Sequence, residues 1–544
     1  MVKKLFIAVC FFCIVNFSFA QKNKTETARP KLVVGLVIDQ MRWDYLYRYY
    51  NLYSSNGFKR LLNEGFSCEN TLIPYLPTYT APGHSCIYTG SVPAINGIVG
   101  NNWYDKTINK NVYCTDDSTV SNVGSNPATG HMSPRNLWTT TIGDELKLSN
   151  NFKSKVIGVS LKDRASILPA GHSANAAYWY DTTAGKWITS NYYMKELPDW
   201  VKNMNDKKLP DNYMAKDWNT ILPMEKYGQS TEDNKIYEQK ITGDTTVTFP
   251  HRLSQITIKK YNAFTYTPFA ITYTFTMAKA AIENEQLGKN TVTDFLAINI
   301  ASTDFIGHSF GPNSIEIEDT YLRLDNDIAA FLKFLDGKLG KNNYLLFLTA
   351  DHGVANIPGF LHEHNIPAGL FTQPSLTKEL NQFLEKKFSV KNAVLITENY
   401  EVYLNTDEIE KNGRSMAEIK EETIKFLKQK PYIFNAFESG NILQQSIPEP
   451  IKKMLINGYN PKRSGDIHFL LKPDYFDRIN TGTTHGLWNP YDTHIPLLWY
   501  GWNIKHGKTN RETYMTDIAP TLAAMLKIQM PNGCVGKVIE EVMK

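Results

Sequence analysis

Three aspartates and two histidines stand where the chain leaves an apolar run. Asp39 follows LVVGLVI, Asp304 and His308 follow FLAINI, and Asp351-His352 follows YLLFL. Lys162 and Arg164 come just after KVIGVS. Carboxylate and imidazole are hard-to-borderline ligands, suited to zinc where thiolates are absent. Asp304 and His308 are four residues apart, so a helix starting there puts both on one face. Adjacent Asp351 and His352 cannot share a helix face, but a loop at a strand end can aim both at one ion. A third imidazole has to come from elsewhere, and His485, in the glycine-flanked loop GTTHG, is the best candidate. Six such ligands suit two metals roughly 4 Å apart, which clamp both oxygens of an in-line phosphoryl displacement. His362-Glu363-His364 is a rival ligand cluster that reads as a polar loop, and His494 reads as a supporting or structural group.

Such a centre needs a nucleophile. In PTYTAPGH, residues 77–84, Thr80 stands at a plausible helix N-cap with Pro82 in the first turn. The unpaired N–H groups of a helix start favour a phosphate, and metal coordination would lower the pKa of a hydroxyl beside them. Taken alone, a threonine before a helix is a capping residue. The ligand set is what raises Thr80 above that.

The elements that must position these groups are legible as short, nearly continuous apolar runs at 31–38, 155–160, 295–300, 344–348 and 494–500. Runs of this kind, rich in branched residues, read as strands buried on both faces of a parallel sheet. Helical patterns lie between them at 58–64, 139–148, 276–285, 315–339 and 514–526. The alternation predicts an α/β fold: a central, mostly parallel sheet flanked by helices. In open α/β sheets ligands bind beyond the carboxyl ends of the strands, and that is where the chemically able residues fall. Two stretches break the rhythm. Residues 175–265 are rich in Tyr, Trp, Asn, Asp and Lys, and residues 375–480 suggest a small α+β unit with a strand near 393–396 and a helix near 417–428. Both read as inserted cap segments within one catalytic domain over 21–544, although the second could be a separate domain.

The N-terminus carries Lys3 and Lys4, about 15 apolar residues, and Ser18-Phe19-Ala20 before Gln21. That is the pattern of a cleaved export signal over residues 1–20, too short for a membrane span. A soluble, exported, periplasmic protein with no anchor is expected. Of the six cysteines, Cys10 and Cys13 leave with the leader. The remaining Cys68, Cys86, Cys114 and Cys534 permit two disulfides in an oxidising compartment, with free buried thiols as the alternative. The net charge of +4 gives no footprint for nucleic acid or an anionic membrane, so an anionic substrate must be held locally. Nothing argues for assembly, and a monomer is expected.

Taken together, TAPGH at 80–84, GIVGNN at 97–102, Asp304 with His308, Asp351-His352-Gly353 and His485-Gly486 resemble the alkaline phosphatase superfamily. The closest branch in outline contains the nucleotide pyrophosphatase/phosphodiesterases, and within it the exported, phosphate-irrepressible bacterial alkaline phosphatases. The resemblance implies two zinc ions, one held by Asp304, His308 and His485, the other by Asp39, Asp351, His352 and the Thr80 oxygen. It further implies that Thr80 attacks phosphorus to form a phosphothreonine, and that Asn101 donates to a phosphoryl oxygen. Lys162 and Arg164 match the K-x-R pair with which this exported type meets a monoester dianion; the diesterases lack it. The serine nucleophile, arginine and magnesium site of the best-known alkaline phosphatases have no recognisable counterpart.

The expected function is therefore a zinc phosphomonoesterase of broad specificity acting on small phosphate esters. A phosphodiesterase or nucleotide pyrophosphatase with the same bimetallic site is the alternative. A sulfatase is disfavoured, because no formylglycine motif replaces Thr80. A non-catalytic, metal-stabilised exported protein is the competing class.

Overall fold

The computed structural model describes residues 29–125 and 130–544. The expected leader lies outside them. Among the described residues no helix is long and apolar enough to cross a membrane.

The sheet that positions the site has eleven strands. Those used below are β1 (Leu32–Ile38), β2 (Phe66–Leu72), β3 (Val156–Val159), β4 (Ala176–Asp181), β5 (Lys186–Ser190), β6 (Asp294–Ile300), β7 (Tyr344–Thr349) and β8 (Leu497–Gly501). Its centre is parallel in the order β7–β1–β6–β3–β4, with Val33 of β1 registered against Leu345 on one side and Phe295 on the other. Every residue of β1, β6 and β7 is buried, which is why these runs show no alternation: helices cover both faces. The flanks are antiparallel, β8 on β7, β2 on β8 and β5 on β4. The run at 494–500 reads like the others, yet it lies antiparallel, because a doubly buried run carries no signature of direction. Pro496 also divides it. A proline has no N–H for a ladder, and here its carbonyl accepts a 2.7 Å hydrogen bond from the Thr349 hydroxyl.

Four helices carry the argument: α1 (Thr80–Thr89), α2 (Asp163–Ala170), α3 (Ser302–Phe310) and α4 (Ile315–Leu339). The expected bounds of α4 coincide with the structure, because Ser314 caps its first turn by accepting from the Ile317 N–H and Gly340 ends it. Residues 199–264 carry short helices with long connections. Farther along, Val394–Glu398, Glu401–Leu404, Ile467–Leu471 and Ile433–Glu438 form an antiparallel sheet. It packs on helices Gln373–Phe388 and Met416–Lys428 around an apolar core that includes Leu380, Val402, Ile419 and Phe469.

The four cysteines of the described chain are free thiols, so the expected disulfides do not form. The reason is packing: Cys68 and Cys86 sit in the main sheet core, Cys114 in a separate cluster with Trp103 and Leu168, and Cys534 is partly exposed near the C-terminus. Each buried thiol behaves as a small apolar group, and burial pushes that of Cys68 up to about 12.

Candidate active site

The parallel strands deliver their terminal residues to one buried rim. Asp39 follows β1, Lys162 stands shortly after β3, Asp304 and His308 share one face of α3 just after β6, and Asp351-His352 follows β7. His308 Nε2 lies 3.1 Å from Asp304 Oδ1. The loop after residue 480 brings His485 Nε2 to 3.6 Å from the same oxygen and stacks its ring on that of His352, with centroids 3.4 Å apart. His352 Nε2 is 3.3 Å from Asp351 Oδ2 and 3.6 Å from Asp39 Oδ1. The ligand-type atoms fall into two groups, each within 4.8 Å: Asp304, His352 and His485, and Asp39, Asp351 and His352. His352 is common to both. His308 flanks the first group through Asp304 and its ring contact with His485.

These residues fit metal ions on three counts. All three imidazoles turn Nδ1 to a backbone carbonyl: His308 to Thr483 at 2.8 Å, His485 to Thr78 at 2.7 Å and His352 to Gly353 at 3.0 Å. A carbonyl only accepts, so Nδ1 carries the proton and Nε2 presents its lone pair inward, as metal-binding histidines do. Next, Asp39 Oδ1 and Asp351 Oδ2 are buried with no hydrogen-bond partner, a costly condition for carboxylates that take no cation. Finally, burial lowers His352 well below the usual imidazole range and His485 to about 3, which keeps the neutral, ligating form.

Burial, reinforced by neighbouring carboxylates, raises Asp351 well above the ordinary range; it raises Asp39 to about 6, although Lys162 partly opposes it. Burial acts the same way on Asp304, but His308 and Lys162 outweigh it and hold this group low.

Lys162 is buried, with its ammonium 2.9 Å from Asp39 Oδ2 and 2.6 Å from Asp304 Oδ2. It thus bridges one carboxylate of each ligand group, as a buried ammonium must be paired. Arg164, on α2, donates to the Tyr113 hydroxyl at 3.1 Å, while its Nε is buried without a partner.

Thr80 is not an N-cap. It is the first residue of α1, Tyr79 occupies the cap position without a side-chain bond, and Thr80 Oγ1 lies 3.4 Å from His352 Nε2. The capping work goes to Asn101, whose Oδ1 accepts from the Ala81 N–H at 3.0 Å; its amide Nδ2 is thereby left as a donor at the same helix start. Gly83 is required by close approach, since a Cβ there would meet the Asp351 carbonyl at 2.6 Å.

The rival cluster is not brought to the rim. His362 stands in the last turn of a short helix and bonds the Ala368 carbonyl, and His364 bonds that of Phe360. His494 stacks on Trp43 and bonds the Glu69 carbonyl, a structural arrangement.

Sequence reasoning missed three residues. Gln40 takes a left-handed backbone, φ 64°, donates from Nε2 to Asp304 Oδ1 at 2.7 Å and from its backbone N–H to Asp351 Oδ1 at 3.2 Å. His84 bonds the Thr80 carbonyl through Nδ1 at 2.9 Å, and the same nitrogen lies 3.5 Å from Asp351 Oδ2. Tyr113 orients Arg164 and donates in turn to Asp163. Only His84 carried a signal, its place one helical turn after Thr80.

The whole of this rim lies within a stretch that known proteins share. A family described as type I phosphodiesterase / nucleotide pyrophosphatase matches residues 33–492. Alkaline phosphatase PhoV of Synechococcus elongatus is 52% identical over 547 residues, covering 99% of this chain and 98% of that protein. Alkaline phosphatase PafA of Elizabethkingia meningoseptica is 52% identical over 533 residues, covering 97% of each. The crystal structure of wild-type alkaline phosphatase PafA superposes with a TM-score of 0.93 at 52% identity, covering 95% of this chain and 99% of that one. With one family spanning strand β1 through the His485 loop, and relatives alike over nearly their full length, the chain belongs to the type I phosphodiesterase / nucleotide pyrophosphatase family.

Proposed function

We propose that the protein is an exported, monomeric phosphomonoesterase of broad specificity that uses two zinc ions and Thr80 as nucleophile. One observation carries this reading: Thr80 Oγ1 borders His352, the imidazole shared by two buried groups of metal-type ligands. Asp304, His308 and His485 would hold one ion and Asp39, Asp351 and His352, with the Thr80 oxygen, the other; bound zinc supplies Lewis acidity toward the reacting oxygens.

The chain's own groups do the rest. Thr80 attacks phosphorus, forming the Thr80 O–P bond as the bond to the leaving oxygen breaks, and water then hydrolyses the phosphothreonine. The amide of Asn101 and the guanidinium of Arg164 donate to non-bridging oxygens, where negative charge must be met. Lys162 adds a fixed positive charge beside them. A monoester dianion needs that charge, whereas a diester replaces one charged oxygen with an ester group. Names of relatives at 52% identity, alkaline phosphatases PhoV and PafA, agree with the monoester reading. The family's name favours a phosphodiesterase as the second reading; the Lys162/Arg164 pair argues against it.

The test is Thr80→Ala. It should retain fold and zinc content and lose monoester turnover by about three orders of magnitude or more, and acid-quenched wild-type protein digested for mass spectrometry should carry a phosphoryl group on Thr80. Near-full activity of the variant would remove Thr80 as nucleophile.

A further inference from the structure

Beside the His308 loop lies a cavity of about 680 Å³ lined by Gln239, Thr372, Asp477, Arg478, Ile479 and Thr481. Arg478 is its only cation among the described lining residues. Its guanidinium is held by two neutral acceptors, the Thr481 carbonyl at 2.6 Å from Nε and the Gln239 side-chain oxygen on the other arm. Among the described residues no carboxylate lies within ion-pairing distance of it. Asp477 in the same wall is tied to Gln373, accepting from its backbone N–H at 3.2 Å and its side-chain amide at 2.8 Å. Arg478 is half-buried, burial lowers its pKa, and Asp304 is among the groups that oppose this. Arg478 is tied to the site through the chain between them: a Cβ on Gly482, at φ 76°, would meet both the Arg478 guanidinium and the His308 carbonyl, and the next residue, Thr483, exchanges hydrogen bonds with His308.

Direction follows from the chemistry. In an in-line displacement the leaving oxygen sits opposite the nucleophile. With the Thr80 oxygen assigned to the group of Asp39, Asp351 and His352, the leaving group points toward Asp304, His308 and His485, the side on which Gly482 and Thr483 join His308 to Arg478.

We infer that Arg478 forms a leaving-group subsite that selects phosphate esters and anhydrides whose leaving group itself carries a phosphate. This rests on the phosphatase reading and refines it: many leaving groups are accepted, and phosphorylated ones gain an added contact. Arg478 acts on specificity, outside the reacting atoms.

The experiment measures kcat/KM of the zinc-loaded full chain for pyrophosphate and for p-nitrophenyl phosphate, and compares their ratio across variants. Arg478→Gln should lower the ratio of pyrophosphate to aryl phosphate by about tenfold or more, the loss of one charge-assisted contact, and Arg478→Lys should recover part of it. Ile479→Glu, at a rim position that is 78% exposed and outside the core, should lower the same ratio by placing a negative charge at the mouth. An unchanged ratio in all three variants would overturn the subsite, as would a wild-type enzyme active on the aryl ester and inert toward pyrophosphate. A wild-type protein inert toward the aryl ester would overturn the phosphatase reading itself, so the two failures are told apart.

Discussion

His251 and His352 are both buried histidines beside two carboxylates, and the chain treats them in opposite ways. His251 Nδ1 meets Asp244 Oδ2 at 3.0 Å and its Nε2 meets Glu316 Oε1 at 3.2 Å. Burial works against its charge, but the two hydrogen-bonded carboxylates win and push it up to about 9. It is an imidazolium locked between anions, tying the segment around residue 250 to α4. His352 gives its Nδ1 to a backbone carbonyl and keeps Nε2 free of a proton, while Asp39 and Asp351 each retain a buried oxygen with no partner. The first cluster is closed, with its histidine saturated by internal partners. The second is open, with the lone pairs that a cation would take. Partner bookkeeping at each ring nitrogen, more than the residue types, separates a structural charge network from a ligand set.

The largest effect that tests this contrast is metal removal. A chelator should abolish nearly all phosphatase activity and zinc should restore it. Thermal stability should fall as well, because Asp39, Asp304 and Asp351 raise one another's energy when uncompensated; a site loaded at about a thousand times its Kd contributes roughly 4 kcal/mol. Calorimetry with and without chelator checks this, and an unchanged Tm would mean that the open cluster is as self-sufficient as the closed one. Next in size, replacing both Lys162 and Arg164 with alanine should cut monoester kcat/KM by roughly 10²–10³-fold and diester turnover much less. Equal losses on both would reduce the pair to a structural role.

The smallest effect belongs to the closed cluster. His251 is raised in the folded state, so its contribution is fully present below its unfolded pKa of about 6.5 and is lost as pH rises through about 9. His251→Gln should cost roughly 2–3 kcal/mol at pH 6 and little at pH 10, with no change in kcat. Denaturant midpoints across that range would show it. A pH-independent difference would mean that the residue acts by packing alone.

Much of the rim was legible because one physical rule places it. Asp39, Asp304, His308, Asp351 and His352 follow apolar runs that must be buried strands, and parallel strands put their ends on one side. His485 was reached by residue type and a glycine-flanked loop. What escaped depends on backbone geometry and on partners distant in sequence. Gln40 matters because a left-handed backbone turns its N–H and side chain to carboxylates more than 250 residues away. Thr80 looked like a cap because nothing local reveals that Asn101 supplies the capping oxygen. The antiparallel flank was hidden because β8, buried on both faces, has the same composition it would have if parallel. The cysteines suggested bridges because spacing says nothing about which core each one enters.

The central claim is that Thr80, the two ligand groups and the Lys162/Arg164 pair form a site for a phosphate dianion. Its most direct test is kcat/KM of the purified, zinc-loaded protein for an aryl phosphate monoester against the corresponding methyl diester. A preference for the monoester of roughly 10²-fold or more is the predicted result. A preference for the diester would contradict it, leaving the metal-binding rim in place and moving the activity to phosphodiester hydrolysis.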